Sequence, residues 1–301
     1  MPDTAEVLDQ IAVLRGRERT VTPLDGGLTN INLKVTTADA VYVVRRWQSD
    51  GELLGIDRDA EHLNSRAAAE AGVGAPVVDY RPDLGVLVID YLDGPAWSND
   101  SFREPGAPTR AAHAIRALHE GPRFVSDFDM FTRQARYQAL IAQHGFWLPP
   151  GYADFGADFQ RVRGALEVGA EPTVPCNNDL LAANFVDDGE RLWLIDYEYS
   201  GNNDACFELG NTSTECDLDD AQVEELVAGY FGAVTPARLA RVRLQAIVSA
   251  YGWALWGAIQ AATSPLDYDF RGWCLERYEK AARAFAAADF ETLIAEVQLR
   301  D

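Results

Sequence analysis

Short apolar segments separated by turn residues fill the first third of the chain. Their period-two or β-branched patterns predict five strands, at residues 20–24, 31–36, 41–44, 76–80 and 86–91. Between the third and the fourth of these, Asp57 is placed to cap a helix that runs to residue 71, where Gly72 and Gly74 end it. The Asp-Gly-Pro sequence at 93–95 interrupts the pattern and predicts a boundary between residues 1–92 and residues 93–301.

Helical spacing dominates the rest of the chain. Apolar positions recur at this spacing over residues 109–119 and 132–144, and the Thr235-Pro236 pair has the residue types of a helix cap and first turn. Acidic residues at 217–220 predict another helix start. Three short strands interrupt the helices, at residues 174–176, 185–186 and 192–195, the last two joined by a turn at Asp188-Gly189. We therefore expect an α+β protein.

Composition sets the scale of the molecule and excludes some classes of function. The chain has 301 residues, of which 48% are apolar, enough for a buried core in about two domains or lobes. Its 26 basic and 47 acidic residues give a net charge of −21, and its only lysines are Lys34 and Lys280. Because nucleic-acid binding needs clustered cations, we expect no nucleic-acid partner. The same charge attracts cationic ligands, so an anionic nucleotide would need a local cationic site or a metal ion.

The amino terminus, the cysteines and one uncharged segment bear on the compartment. The acidic start lacks the apolar core of a signal peptide, and the four cysteines form no C-x-x-C pair, so we expect a cytoplasmic protein with reduced thiols. Residues 244–266 carry no charge, but they mix small and polar residues with tryptophan. This mixture favours a buried or pocket-lining helix over a membrane span, and we expect no membrane partner.

The residues with the clearest potential for chemistry are Asp179, Asn184 and Asp196. A carboxylate in a loop, an amide five residues later and a second carboxylate at the end of the next strand can converge. Phosphoryl transfer uses such a set, because one carboxylate accepts the proton of the attacking hydroxyl while an amide and a carboxylate hold Mg²⁺ on the nucleotide phosphates. Taken alone, the pattern is equally compatible with an Asx-rich β-hairpin.

The sequence around these residues resembles a known family. Residues 175–185 (PCNNDLLAANF) and 194–201 (LIDYEYSG) resemble the catalytic segments of the choline/ethanolamine kinase family, and residues 26–32 (GGLTNIN) resemble its phosphate-covering loop. That family shares a two-lobed, protein-kinase-like fold with the aminoglycoside phosphotransferases. The resemblance extends from about residue 20 to about residue 285. It implies a small amino-terminal lobe with an antiparallel sheet and one long helix, followed by a larger, mainly helical lobe.

The resemblance also implies roles for individual residues, with ATP as co-substrate and Mg²⁺ as cofactor. Asp179 would be the catalytic base, Asn184 and Asp196 the Mg²⁺ ligands, and Arg45, paired with Glu61, the contact to the nucleotide phosphates. The alternative for Arg45 is a solvated charge at a strand end. The other implied nucleotide-binding residues are Gly26, Gly27, Thr29, Asn30, Asp90, Tyr91 and Leu92. We interpret Lys34 as a solvated strand residue, with a contact to the phosphates as the alternative.

Aromatic residues near the carboxyl terminus are candidates for the acceptor site. Trp253 and Trp256 are spaced i, i+3 on one helix face, and Trp273 follows. Aromatic faces attract quaternary ammonium groups, by about 0.5–2 kcal/mol per face. The resemblance makes these three residues the walls of a choline pocket, with Tyr199 nearby and Glu215 supplying a counter-charge. Core packing is the alternative for aromatic residues at this spacing.

One position departs from the family pattern, with Asn177 where the family usually has histidine. Asparagine donates and accepts hydrogen bonds at similar reach, so we expect the loop to keep its shape. The predicted function is ATP-dependent phosphorylation of choline or a related amino alcohol. Two alternatives stay open: the same chemistry on ethanolamine, an aminoglycoside or another small alcohol, and a non-catalytic protein that binds nucleotide or choline. The expected partners are a small cationic alcohol and ATP, and a homodimer is the assembly left open.

Overall fold

The first third of the chain folds into one antiparallel sheet, as the alternating pattern predicts. The computed structural model describes residues 3–24, 27–47 and 51–299. The strands are β1 (Thr20–Leu24), β2 (Asn30–Thr36), β3 (Val41–Trp47), β4 (Val77–Arg81) and β5 (Val86–Asp90). They pair in the order β1-β2-β3-β5-β4. The central strands are rich in β-branched residues, and Val44 of β3 lies opposite Val88 of β5 in the buried layer.

Two helices accompany this sheet. The helix α2 (Arg58–Glu70) begins where predicted, and the Asp57 side chain accepts a hydrogen bond from the Ala60 N–H at 3.0 Å. The helix α1 (Thr4–Leu8) and the turns after it bury Val7, Leu8, Ile11 and Leu14 against the sheet. The sequence analysis assigned no element to this segment, because a five-residue helix is too short to show helical periodicity.

Helices build the large lobe. They are α3 (Ala107–His119), α4 (Met130–His144), α5 (Gly156–Glu167), α6 (Ala205–Glu215), α7 (Asp220–Phe231), α8 (Pro236–Thr263), α9 (Phe270–Phe285) and α10 (Phe290–Glu296). Both the 109–119 and the 132–144 predictions fall inside helices, and α7 begins after its cap, Asp219. The sequence analysis missed α6, whose buried residues include Glu208, Asn211 and Thr212. A helix that buries polar side chains shows no apolar stripe in its sequence.

Residues 244–263 of the uncharged segment lie in α8, a helix of 28 residues that is buried along most of its length, and residues 264–266 follow its end. It packs against α6 and α9. Gly257 allows α8 and α9 to approach closely, because a Cβ at this position would lie 2.7 Å from the Trp273 ring of α9. Within the described ranges, no helix is long and apolar enough to cross a membrane. The expectation of a buried helix is confirmed, and the cytoplasmic location and the homodimer stay predictions.

Two short strand pairs flank the loops that contain Asp179 and Asp196. The strand β6 (Val174–Cys176) pairs with β9 (Gly201–Asn203), and β7 (Phe185–Asp187) pairs with β8 (Leu192–Leu194) through the predicted turn. The Leu194 N–H donates to the carbonyl of Val73 at 2.8 Å, so the β7–β8 hairpin is joined to the small lobe. The predicted architecture, a small sheet lobe and a larger helical lobe, is confirmed. Its division between residues 92 and 93 stays a prediction.

Candidate active site

The loop after β6 takes an unusual backbone conformation that its own side chains stabilise. Asn178 has a φ of 69°, in the left-handed region, where asparagine is among the better tolerated residues. Its side-chain amide donates to the carbonyls of Cys176, Tyr199 and Gly201 at 3.1–3.2 Å. The Glu208 carboxylate of α6 accepts the N–H groups of residues 177 and 178 at 2.7 and 2.6 Å. The direction of the next residue, Asp179, is therefore fixed from several sides.

Asn177, the departure from the family pattern, links the two halves of the site. Its Nδ2 donates to the carbonyls of Ile195 and Asp196 at 3.0 and 2.9 Å, and its Oδ1 accepts the Asp179 N–H at 3.1 Å. All three bonds fall within normal hydrogen-bond geometry. The side chain thus joins the loop that carries Asp179 to the strand end that carries Asp196, as expected of a loop that keeps its shape.

Asn184 and Asp196 present oxygen atoms beside this loop. The Asn184 Nδ2 donates to the Asp179 carbonyl at 2.8 Å, which leaves the side-chain oxygen for another partner. Asp196 has a φ of 66°, and its side chain is 32% exposed. Amide and carboxylate oxygens are hard ligands of the kind Mg²⁺ prefers, so this pair fits the metal that the sequence analysis expected.

Arg45 lies at the centre of a buried group of carboxylates. Its guanidinium is 2.8 Å from Asp196, 3.6 Å from Glu61 and 3.8 Å from Glu198. Burial alone lowers the pKa of Arg45, but the carboxylates of Asp196, Glu61 and Glu198 outweigh it and raise the pKa above its ordinary value. Arg45 is therefore a permanent, buried cation, not the solvated strand-end charge of the alternative interpretation.

Glu198 received no role from sequence reasoning, yet it joins the glycine-containing loop to the site. Its carboxylate accepts hydrogen bonds from Thr29 Oγ1 and Asn30 Nδ2, each at 2.9 Å, and lies 3.3 Å from the Arg58 guanidinium. Burial, followed by the charge of Asp196, raises the pKa of Glu198 to about 7. The available signal was its position two residues after Asp196 in the quoted segment.

The described part of the glycine-containing loop requires glycine at Gly27. A Cβ there would lie 2.2 Å from the carbonyl oxygen of Asn30, closer than any real contact. The loop therefore folds back on itself just before β2, which is the close backbone approach that only glycine permits. The other predicted loop glycine, Gly26, lies outside the described residues.

The connector after β5 has a partner that the sequence did not indicate. The Tyr91 N–H donates to the Val41 carbonyl at 3.1 Å, and the Lys34 ammonium lies 3.7 Å from the centre of the Tyr91 ring. Lys34 is half-buried, and a cation–π contact, which the interpretation as a solvated strand residue did not include, holds its ammonium against the connector. Burial raises the pKa of the neighbouring Asp90. Leu92 follows, half-buried.

A narrow cleft lies between the sheet and β8. Its walls combine apolar residues with the charged pair already described: Arg45, Ser65, Ala75, Leu87, Ile89, Leu194, Ile195, Asp196 and Tyr197. The apolar side chains suit a flat aromatic base, and the charged end suits phosphates and a metal ion. Of the residues expected to bind the nucleotide, Arg45 lines this cleft, together with the expected metal ligand Asp196.

A second cavity brings most of the predicted acceptor residues together. Its volume is about 80 Å³, and it is lined by Leu28, Thr29, Asp179, Leu181, Asp196, Glu198, Tyr199, Trp253, Trp256 and Trp273. The rings of Trp256 and Trp273 have centroids 4.9 Å apart, and the Trp256 indole N–H donates to the Tyr199 hydroxyl at 2.7 Å. Three indoles and a phenol therefore face a space that also reaches the Asp179 carboxyl.

Glu215, expected as a counter-charge, does not line this cavity. Its carboxylate forms a two-pronged ion pair with Arg277 of α9, through Nε at 3.1 Å and through the second guanidinium nitrogen. Both side chains are buried. The sequence analysis missed Arg277, although its spacing of four residues from Trp273 on one helix was a usable signal. The carboxylate that was expected to be free is neutralised in this structure.

The Asp179 carboxyl is electrostatically unusual. Burial raises its pKa well above the usual range, and the carboxylates of Glu215, Asp196 and Glu198 raise it further, while Arg277 acts in the opposite direction. A carboxyl with a raised pKa is a stronger base once it is deprotonated. This is the property expected of a group that takes a proton from an alcohol.

The comparisons with known proteins agree with this geometry. The family model described as Choline/ethanolamine kinase matches residues 21–226. This chain belongs to the choline/ethanolamine kinase family. Spectinomycin phosphotransferase APH(9)-Ia shares its two-lobed fold, with a TM-score of 0.57 at 12% identity over 99% of this chain and 100% of the other. By its family, this chain is accordingly an ATP-dependent phosphotransferase acting on a small alcohol.

Individual relatives give the same picture. Mouse ethanolamine kinase 1 is 25% identical over 88% of this chain and 83% of the relative. A choline/ethanolamine kinase family protein from Mesorhizobium loti is 34% identical, with a TM-score of 0.86 and 97% of each chain covered. The choline kinase LicA from Streptococcus pneumoniae shares the fold, with a TM-score of 0.76 at 22% identity over 89% of this chain and 93% of the other.

A further group of potential metal ligands lies behind the catalytic loop. His119, Cys176 and Glu208 are buried with their ligand atoms within 4.8 Å of one another. Both Glu208 oxygens already accept loop N–H groups, and His119 Nδ1 is 2.7 Å from the Tyr230 hydroxyl. With these hydrogen bonds satisfied, the group supports the loop from behind.

Proposed function

We propose that this chain transfers the γ-phosphate of Mg²⁺-ATP to the hydroxyl of choline or a closely related amino alcohol. The observation that carries the proposal is the single cavity in which Asp179 and a wall of three indoles and Tyr199 face the same space. An amino alcohol has a cation at one end and a hydroxyl at the other. The aromatic wall suits the cation, and the carboxyl suits the hydroxyl.

The chemistry of the wall favours a quaternary ammonium group. A trimethylammonium group donates no hydrogen bonds, so aromatic faces satisfy it fully. A primary ammonium carries three N–H donors and is strongly hydrated, so it prefers oxygen acceptors. Ethanolamine is the second candidate, because the carboxylates of Asp196 and Glu198 also line the cavity and could accept those donors.

In the proposed reaction Asp179 orients the hydroxyl and takes its proton as the oxygen attacks the γ-phosphorus. The bond to the bridging oxygen of ADP breaks as the new bond forms, and ADP leaves. Arg45 offsets negative charge on the transferring group, which its permanent cation and its buried position support. Mg²⁺, held by Asn184 and Asp196, would supply further charge compensation on the phosphates.

Phosphorus NMR with Mg²⁺-ATP and choline tests the proposal directly. A phosphomonoester signal that grows in the wild type and is absent with Asp179→Ala would support transfer to choline and the role of the base together. Titration of a nucleotide analogue checks that the variant still binds nucleotide. A wild type that yields the signal from ethanolamine but not from choline would replace choline by the second candidate. No signal from any amino alcohol or aminoglycoside, with nucleotide binding intact, would favour the non-catalytic alternative.

A further inference from the structure

A buried ion pair lies directly behind one wall of the acceptor cavity. Arg277 and Glu215 form the two-pronged contact described above, and each side chain is less than 10% exposed. The Arg277 guanidinium carbon also lies 3.4 Å from the centre of the Trp273 ring. Trp273 lines the cavity, and neither member of the pair does. The indole therefore separates the ion pair from the space that would hold the ammonium group.

The pair changes the charge that the ammonium group meets. Without Arg277, the carboxylate of Glu215 would be a buried, unscreened anion close to the cavity. Of the other carboxylates that line the cavity, Asp196 and Glu198 have partners of their own, and Asp179 is the carboxyl assigned to the hydroxyl of the acceptor. Asp196 accepts a hydrogen bond from Arg45, and Glu198 is held by Thr29, Asn30 and the Arg58 guanidinium. At its aromatic end the cavity thus presents π faces instead of a free carboxylate.

We infer that Arg277 is a specificity-determining residue, which selects quaternary over primary ammonium groups by neutralising Glu215. The inference rests on the proposed function, since it concerns the acceptor of that reaction. A trimethylammonium group loses little when the carboxylate is withdrawn, because it attaches to π faces. A primary ammonium loses an acceptor that would replace its hydration. The same stack holds the Trp273 ring against the guanidinium.

Four variants separate the charge of the pair from its packing. Arg277→Met removes the cation and leaves Glu215 unpaired, while Glu215→Gln leaves Arg277 with only the carboxylate of Glu276, at 4.0 Å. The double variant removes both charges and restores neutrality, although it also lacks the guanidinium stack. Arg277→Lys keeps a cation without the planar two-pronged contact. The matched control is Arg271→Met, an arginine of the same helix that lies 5.2 Å from the ring of Trp147 instead.

Binding and turnover are both measured, so that the two proposals can fail separately. Quenching of tryptophan fluorescence reports the affinities for choline and for ethanolamine without any reaction, and kcat/KM for each alcohol reports turnover. Circular dichroism and the unfolding midpoint identify a variant that has lost its fold. The comparison uses the ratio of choline to ethanolamine affinity.

We expect Arg277→Met to lower this ratio by about tenfold, since a buried unpaired charge is weakly screened. Glu215→Gln should weaken the binding of both choline and ethanolamine. The double variant should return the affinity ratio to within about threefold of the wild type. A folded Arg277→Met with an unchanged ratio would overturn the inference, as would a double variant with the altered ratio of the single one. A shifted binding ratio in a chain that phosphorylates neither alcohol would support Arg277 and contradict the proposed function.

Discussion

At the scale of the residue, the raised pKa of Asp179 has a consequence for stability. Burial and neighbouring carboxylates raise the pKa, so the folded chain holds this proton over a pH range in which the unfolded chain has released it. Folding stability therefore falls as the pH rises from the ordinary carboxyl value toward the folded-state pKa. The Asp179 carboxyl, the proposed base, therefore lowers the folding stability at neutral pH.

Asp179→Asn removes that cost. We expect a higher unfolding midpoint than the wild type at neutral pH, with a difference that shrinks as the pH falls below the ordinary carboxyl pKa of 3.8, where the wild-type carboxyl becomes protonated in both states. Thermal unfolding over a pH series measures the effect. Asp267→Asn, at an exposed position, is the control and should show no such trend. A variant that is equally stable or less stable at neutral pH would contradict the electrostatic account.

Asn177 offers a second test at this scale. Asn177→Asp keeps the size of the side chain but replaces the donor that reaches the Ile195 and Asp196 carbonyls by an acceptor. The loop and the strand end should then separate, and kcat should fall by about tenfold or more, because small displacements of catalytic groups are costly. Steady-state kinetics checks this, with Asn177→His as the variant that keeps one donor. Wild-type kcat in Asn177→Asp would show that the link is dispensable.

At the scale of the element, α8 presents two indoles to the cavity from a helix that is otherwise core. Trp253 packs against Tyr199 at 4.8 Å between ring centroids, and its indole nitrogen is buried without a hydrogen-bond partner. An apolar replacement therefore breaks no hydrogen bond, and what it loses is the aromatic face together with part of the packed volume.

Trp253→Leu should raise the KM for choline by about 2- to 30-fold, the loss of about 0.5–2 kcal/mol of cation–π attraction. The KM for ATP should change much less, because the indole lies in the acceptor cavity. Initial-rate measurements with each substrate varied in turn give both constants. Trp193→Leu, on the β7–β8 hairpin, controls for loss of an indole elsewhere. Equal increases in both constants would return Trp253 to a packing role.

The loop before β2 requires glycine at position 27. Gly27→Ala places a Cβ against the Asn30 carbonyl, so the loop must move, and Asn30 and Thr29 would lose their bonds to Glu198. We expect the KM for ATP to rise by about fivefold, the equivalent of about 1 kcal/mol. Titration with a nucleotide analogue measures the change. Gly164→Ala in α5, where the added Cβ meets nothing, should leave nucleotide binding unchanged.

At the scale of the whole molecule, the net charge of −21 acts on every approaching ligand. A chain with this charge attracts a cationic acceptor and repels ATP, so Arg45 of the proposed nucleotide site acts against the global field. Raising the salt from about 0.1 M to about 1 M shortens the screening length from about 10 Å to about 3 Å. High salt therefore screens the long-range attraction between the negatively charged protein and its cationic acceptor.

We expect the KM for choline to rise by about two- to fivefold over that salt range. The control is the neutral isostere of choline, in which a tert-butyl group replaces the trimethylammonium group. Its inhibition constant should be nearly insensitive to salt, since it carries no charge. Kinetics at several salt concentrations measures both constants. The same salt dependence for the charged and the neutral ligand would exclude a role for the global field.

Local signals were sufficient for much of this protein. Alternation predicted the strands of the small lobe, Asp57 and Asp219 mark helix starts, and the spacing of Asp179, Asn184 and Asp196 predicted a convergent set. Each of these depends on residues close together along the chain, whose side-chain direction follows from the period of the element. Spacing placed Trp253 and Trp256 on one helix face, and the family resemblance made these two and Trp273 candidates for the acceptor site.

Tertiary structure decided the contacts between residues far apart in sequence. Glu198 joins Thr29 and Asn30 across the lobes, Arg277 reaches Glu215 from another helix, and α6 buries polar residues that no apolar stripe announces. An ion pair depends on where two side chains come together, and hydrophobic periodicity contains no information on that. The sequence by itself therefore determined the chemistry available to this protein. The packing of α6, α8 and α9 decided which of those charges stay free to act.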